Sequence, residues 1–253
     1  MDAEFLIIDQ IEDVAIIKLN QGITNPINTR LVLELSIIFE NLSGDDNLNA
    51  IVLTSANDKF FSIGLDIPTL IELSENDFRI FYRSFNQLCF DLFRVSKPVI
   101  AAITGHAIAG ACILALCCDY RYIADGRKLM GLNEIKLGLS VPFVADCILR
   151  NLIGNRLARD VMDSGELFEP PAAFKMGIVD KISPVDEVLD SALSKAKDIA
   201  ASSLVAFSLI KKNRITPVSE EIMAHLNDRE ESFIQCWFSS ETQDRLKEAI
   251  SKF

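Results

Sequence analysis

The chain has 253 residues, 49% apolar and 24% charged, the make-up of a soluble globular protein large enough for one substantial core. Its formal charge of −11 excludes the basic face that nucleic-acid binding needs, but not a phosphorylated small ligand, which takes only a few local cations. No apolar run reaches membrane-spanning length, and the six cysteines include no CxxC pair, so they read as reduced, buried small hydrophobes.

Two β-branched runs, 5–8 and 14–19, flank the polar residues 9–13 and read as a hairpin. Residues 20–28, with Gly22 and Pro26, form a loop. Leu31, Leu35, Ile38 and Leu42 then recur at helical spacing over 29–42, with Asn28 or Thr29 as cap. A buried strand is expected at 50–54, followed by a turn at Asn57, Asp58 and Lys59 into a loop at 60–67. Residues 75–95 form an amphipathic helix whose stripe of Phe78, Phe81, Phe85, Leu88, Leu92 and Val95 reads first as core packing.

The stretch 97–139 organises the rest. A β-branched run at 99–103, a turn of small residues at 105–111 and an apolar segment at 112–118 predict strand, glycine loop and buried helix. A helix entered through glycine offers free N–H groups and the positive end of its dipole to a developing negative charge, and Gly110 is the natural donor. Gly131, Leu132, Asn133 and Glu134 then place one carboxylate in an apolar neighbourhood that continues through Leu137, Leu139, Val141, Pro142 and Phe143.

Residues 120–124 read as a strand. Strand, loop and helix recur from Val14, Ala50, Val99 and Tyr120, which predicts a spiral of related units without a fixed period. Helices follow at 145–152 and 155–164, the second closed by Gly165. Pro170 and Pro171 open a short helix ending at Gly177, and then come a strand at 178–182 and a helix at 186–201. The acidic tail 218–253 is amphipathic, with Phe233, Trp237 and Phe238 close together, and is expected to pack against a partner surface.

Phe61-Ser62-Ile63-Gly64-Leu65-Asp66-Ile67, the loop 105–111, and Gly131-Leu132-Asn133-Glu134 with Leu137-Gly138 and Pro142-Phe143 stand in one order and spacing. Together they resemble the crotonase superfamily, or enoyl-CoA hydratase/isomerase family, and within it the mitochondrial-type delta-3, delta-2-enoyl-CoA isomerases. The resemblance covers nearly the whole chain. It implies an α/β fold, a crotonase-like spiral of β-β-α units at 1–200 with a C-terminal helical trimerisation region at 201–253, and hence a homotrimer or a dimer of trimers. It also implies an acyl-CoA thioester substrate, with coenzyme A present as part of that substrate and no separate cofactor.

Carried over position by position, the resemblance assigns the N–H groups of Leu65 and Gly110 to an oxyanion hole and Glu134 to proton transfer. Ser62, Ile63, Gly64, Asp66, Ile67, Ile113 and Asn133 are the expected substrate contacts, with a turn role equally open to Asp66. Without the upstream loops, an exposed glutamate beside Lys136 is the favoured reading of Glu134; with them, the catalytic reading is. Family hydratases carry a further glutamate where this chain has Ile113, so the site is expected to shift a double bond rather than add water. Hydration, decarboxylation or thioester hydrolysis on a related thioester, or an idle crotonase-like subunit, are the alternatives.

The two histidines, His106 and His225, accompany no GxSxG elbow and form no metal signature. His106 reads as a structural hydrogen-bonding residue. Lys136, Arg30 and Lys247 are candidates for coenzyme A phosphates, and one rim of the phenylalanine stripe for the acyl pocket. The acidic N-terminus, unlike a basic leader, leaves the cytoplasm as the expected location.

Overall fold

The computed structural model describes residues 3–251. β1 (Leu6–Ile11) and β2 (Val14–Leu19) pair antiparallel through a tight turn at Glu12, whose φ is 55°. Asp9 and Gln10, expected in the connection, are strand residues; β1 is an edge strand exposed along most of its length, where polar side chains remain in water. α1 (Thr29–Gly44) is capped by Asn28, whose Oδ1 accepts the Leu31 N–H at 3.0 Å.

β3 (Ala50–Ser55) leads to β4 (Phe60–Ser62), then to α2 (Ile67–Leu70) and α3 (Glu75–Arg94). β5 (Val99–Ile103) leads to β6 (His106–Ile108) and α4 (Gly110–Leu116). β7 (Tyr120–Ala124) leads to β8 (Met130–Gly131), a 3-10 turn (Glu134–Leu137) and α5 (Phe143–Ser164), which breaks at Gly154 where two helices were expected to meet. These are the β-β-α units: each gives one strand to a six-stranded sheet ordered β1-β2-β3-β5-β7-β9 and one to a three-stranded sheet ordered β4-β6-β8. From β2 onward every pairing is parallel.

α6 (Pro170–Met176), β9 (Lys181–Ser183), α7 (Val188–Ala200), α8 (Leu204–Trp237) and α9 (Ser240–Ile250) complete the chain. The strand expected at 178–182 begins later because the Ile178 N–H closes α6 on the Ala173 carbonyl at 2.9 Å. α8 begins well before the expected tail and carries Pro217 within it.

The inner strands β2, β3 and β5 of the large sheet are buried on both faces, which is why they read as continuous apolar runs rather than alternating ones. Val14, Ile16, Val52, Ile100 and Ala102 pack on Ala192, Leu193 and Ala196 of α7. The intervening residues Ile17, Leu53, Ala101 and Ile103 face the main core. The α3 stripe is core: Phe78, Phe81 and Phe85 are fully buried, and Phe78 stacks on Trp237 of α8 at 4.2 Å. Among the described residues no helix is long and apolar enough to cross a membrane, and all six cysteines are unpaired thiols.

Candidate active site

The small sheet explains why distant residues meet. Its three strands run parallel, with Ser62 opposite Ala107 and Ile108 opposite Gly131, so their C-terminal ends lie at one edge. Leu65 follows β4 by three residues, Gly110 follows β6 by two, and Glu134 follows β8 by three. Residues 62–67, 109–113 and 133–134 are thereby delivered to one place.

The loop after β4 is held by an isolated parallel bridge between Ile27 and Leu65. The Ile27 N–H donates to the Gly64 carbonyl at 2.8 Å and the Asp66 N–H to the Ile27 carbonyl at 2.9 Å. That pattern uses the groups on either side of Leu65 and leaves the Leu65 N–H with no acceptor among the described residues, as is the Gly110 N–H at the start of α4. A Cβ placed on Gly110 would stand 3.5 Å from the Leu65 nitrogen, so the two free donors are neighbours. Ala109 holds a φ of 50° at the entry to α4, a costly conformation for alanine, and its N–H donates to the Gly131 carbonyl at 2.8 Å.

Asn25, which opens a segment that fits the family spacing, has no role assigned from the sequence. Fully buried at a φ of 46°, its Nδ2 donates to Ser55 Oγ at 2.9 Å and to the Phe61 carbonyl at 3.1 Å, and its own carbonyl accepts from Ser62 Oγ at 2.6 Å. The available signal was an asparagine before a proline, a type that tolerates the left-handed region. Ser62 also accepts the Gly64 N–H at 3.0 Å, so its hydroxyl is engaged within the loop. Ile63 bonds through its N–H to the Thr24 carbonyl at 2.8 Å. Asp66 caps α2 by accepting the Thr69 N–H at 3.3 Å and also accepts the Thr69 hydroxyl at 2.9 Å, and Ile67 is the first residue of that helix.

Glu134 is 6% exposed and opens the 3-10 turn; its Oε2 has no hydrogen-bond partner. Burial raises its pKa from 4.5 to about 7, against a smaller opposing effect of its own backbone N–H. Its burial rules out the rival reading of an exposed glutamate and agrees with the expected apolar neighbourhood. Asn133, which precedes the turn, also keeps a buried, unpartnered Oδ1. Ile113 lies one turn after Gly110 on α4 and is 1% exposed, an apolar group on the face that follows the donor.

Other candidates are otherwise engaged. Arg30 pairs with Glu34 at 2.6 Å and Lys136 with Glu166 at 2.6 Å. His106 Nδ1 accepts the Leu129 N–H at 2.9 Å, a structural bond between β6 and the approach to β8. Among the described residues no cluster of His, Cys, Asp and Glu is arranged to hold a metal.

A base with a pKa near 7 works only when ionised. Activity is expected to rise from about pH 6 to pH 8 with an apparent pKa near 7, as a kcat/KM profile would show.

Two backbone donors without an acceptor among the described residues and one buried carboxylate thus follow strands that end at one edge of the small sheet. The enoyl-CoA hydratase/isomerase family model matches residues 9–253. The human mitochondrial enoyl-CoA delta isomerase 1 is 35% identical over 182 residues, 72% of this chain and 60% of that protein, so the match spans less than two thirds of the relative. The short-chain-enoyl-CoA hydratase of Clostridium acetobutylicum is 27% identical over 100% of this chain and 97% of its own length. The crystal structure of human mitochondrial delta3-delta2-enoyl-CoA isomerase superposes with a TM-score of 0.95 at 28% identity, covering 98% of both chains. The chain belongs to the enoyl-CoA hydratase/isomerase family and has the crotonase fold.

Proposed function

We propose that the protein isomerises 3-enoyl-CoA thioesters to 2-enoyl-CoA thioesters, with coenzyme A entering as part of the substrate. The observations that support this reading are that Glu134 is a buried carboxylate and that Ile113, at the place where by resemblance family hydratases carry a second glutamate, is a buried apolar residue. The thioester oxygen accepts the Leu65 and Gly110 N–H groups. Glu134 takes a proton from the alpha carbon, negative charge passes to the thioester oxygen of the dienolate, and the same proton returns at the gamma carbon. Bond making and breaking balance without water or a cofactor.

Hydration is the second reading, favoured by the full-length match to a hydratase and by the unpartnered Asn133 Oδ1, an acceptor available to orient water. Incubation with 3-enoyl- and 2-enoyl-CoA, resolving isomerised from hydrated product, separates the two. Isomerisation is expected to exceed hydration by at least about a hundredfold, the contribution of one general acid–base group. Equal or faster hydration overturns the isomerase reading, and no turnover of any enoyl thioester supports an idle subunit.

The assembly is proposed to be a homotrimer or a dimer of trimers. Phe233, Trp237 and Phe238, expected to face a partner, pack instead on Phe78 and Tyr82 of the same chain; α8 exposes Val205, Leu209 and Ile210 at 73%, 57% and 64%, apolar surface suited to burial between subunits. Sedimentation is expected to give three or six times the chain mass of 28.1 kDa, and a folded monomer at micromolar concentration contradicts it.

A further inference from the structure

The C-terminal helix α9 rests on the turn that carries Glu134. Gly138, which closes that turn, holds a φ of 76°, and its N–H bonds back to the Glu134 and Ile135 carbonyls. Its own carbonyl oxygen accepts two donors from the C-terminal helices, Thr242 Oγ1 on α9 at 3.0 Å and Cys236 Sγ on α8 at 3.1 Å. A Cβ on Gly138 would stand 3.0 Å from Arg245 Cδ and 3.3 Å from Thr242 Oγ1, so α9 packs directly on the backbone of the turn.

Thr242 is 2% exposed and is itself oriented. The Ser239 hydroxyl donates to Thr242 Oγ1 at 3.0 Å and accepts the Thr242 N–H at 3.3 Å as the cap of α9. With Ser239 on its acceptor side, the Thr242 hydroxyl directs its proton to the Gly138 carbonyl. Leu246 is fully buried and Gln243 Nε2 donates to the Trp237 carbonyl at 2.8 Å, which fixes α9 against the end of α8. The same helix also touches α2, which begins two residues after Leu65.

Glu134 Oε2 has no hydrogen-bond partner among the described residues, so the backbone of the turn and the packing around it set where the carboxyl lies. Tyr82 on α3 and Cys112 on α4 feel the Glu134 charge, and burial keeps both neutral. We propose that Thr242 is a positioning residue: its hydroxyl, by holding the Gly138 carbonyl, fixes the turn so that the Glu134 carboxyl stays out of water and within reach of the reacting carbon atoms. The inference rests on Glu134 acting as the base and adds α9 to the parts that place it. A catalytic group displaced by about 1 Å loses on the order of a hundredfold in rate.

The test uses Thr242→Val, which keeps the shape and removes the donor, and Thr242→Ser, which keeps the donor. Infrared titration of the protonated carboxyl band, assigned by its absence from Glu134→Gln, reads Glu134 without substrate. The unmodified protein and Thr242→Ser are expected to titrate at one midpoint, about 7. In Thr242→Val the loosened turn admits water, which favours the ionised form, and the midpoint falls toward 4.5. For whichever enoyl-CoA thioester the unmodified protein turns over, Thr242→Val lowers kcat by about tenfold to a hundredfold with KM held within about twofold, and Thr242→Ser restores it. An unmoved midpoint or an unmoved kcat in folded Thr242→Val overturns the proposal, and a lowered melting temperature alone leaves Thr242 a structural residue. Should Thr242→Val fail to fold, Cys236→Ala, which removes the other donor at a half-buried position, decides: a fall in both readouts supports the proposal and no change overturns it. Failure of the underlying reading shows differently, as normal turnover in Glu134→Gln.

Discussion

Glu134→Gln is expected to lower turnover of 3-enoyl-CoA by about a hundredfold to ten-thousandfold while leaving the fold intact and more stable than before. The amide keeps the shape of the side chain and removes the base, and a positioned general base is worth that range. The stability gain follows from the same burial. A carboxyl with a pKa near 7 folded and near 4.5 unfolded stabilises the fold only while protonated. That contribution is complete below pH 4.5 and is lost as pH rises through 7. Glutamine carries no charge at any pH, so at about pH 9 the variant should exceed the unmodified protein by on the order of 3 kcal/mol. Denaturant melts at about pH 5 and pH 9 with steady-state kinetics check both halves. Near-normal turnover would remove Glu134 from the mechanism, and equal stabilities at high pH would mean the carboxylate is solvated.

Gly64→Ala has the next largest expected effect, and it acts through backbone alone. Gly64 sits at a φ of 96°, and a Cβ there would lie 2.6 Å from the Ile108 carbonyl oxygen, which cannot swing aside as a side chain would. The left-handed conformation alone costs alanine roughly 1–2 kcal/mol. Relief requires the β4 loop to move away from β6, carrying the Leu65 N–H off the position it shares with Gly110. Loss of one oxyanion donor is worth about a hundredfold to a thousandfold in kcat. The variant should therefore melt lower and turn over slowly together. A lowered melting temperature with near-normal kcat would show that the Leu65 N–H does not touch the reacting oxygen.

Much of the frame was legible because its signals are local. The apolar runs at Val14–Leu19, Ala50–Ser55 and Val99–Ile103 are strands buried on both faces, and such strands need no partner to announce themselves. Asn28, Gly165 and Gly177 mark helix ends by chemistry carried within one turn. Where boundaries moved, a neighbour had claimed the backbone, as α6 claims the Ile178 N–H.

The family resemblance came from three short loops, and the family match over residues 9–253 agrees with it. Those loops also named Leu65, Gly110 and Glu134. They could not convey that Ser62 is spent on Asn25, that Asp66 caps a helix, or that Arg30 and Lys136 already hold carboxylates. Each of these is a choice of partner, and Asn25 reaches Phe61 across 36 positions.

Sequence by itself determined the inner strands of the large sheet, most helices, and three loops in order, while the short strands β4, β6 and β8 fall in stretches read as loops or left unassigned. What it determined depends on residue chemistry and short-range spacing. Tertiary structure decided that the three loops leave one edge of a small parallel sheet and that Glu134 is buried deeply enough to titrate near 7. Desolvation and enclosure are properties of what surrounds a group from every side, and that surrounding exists only once α3, α8 and the sheet have packed.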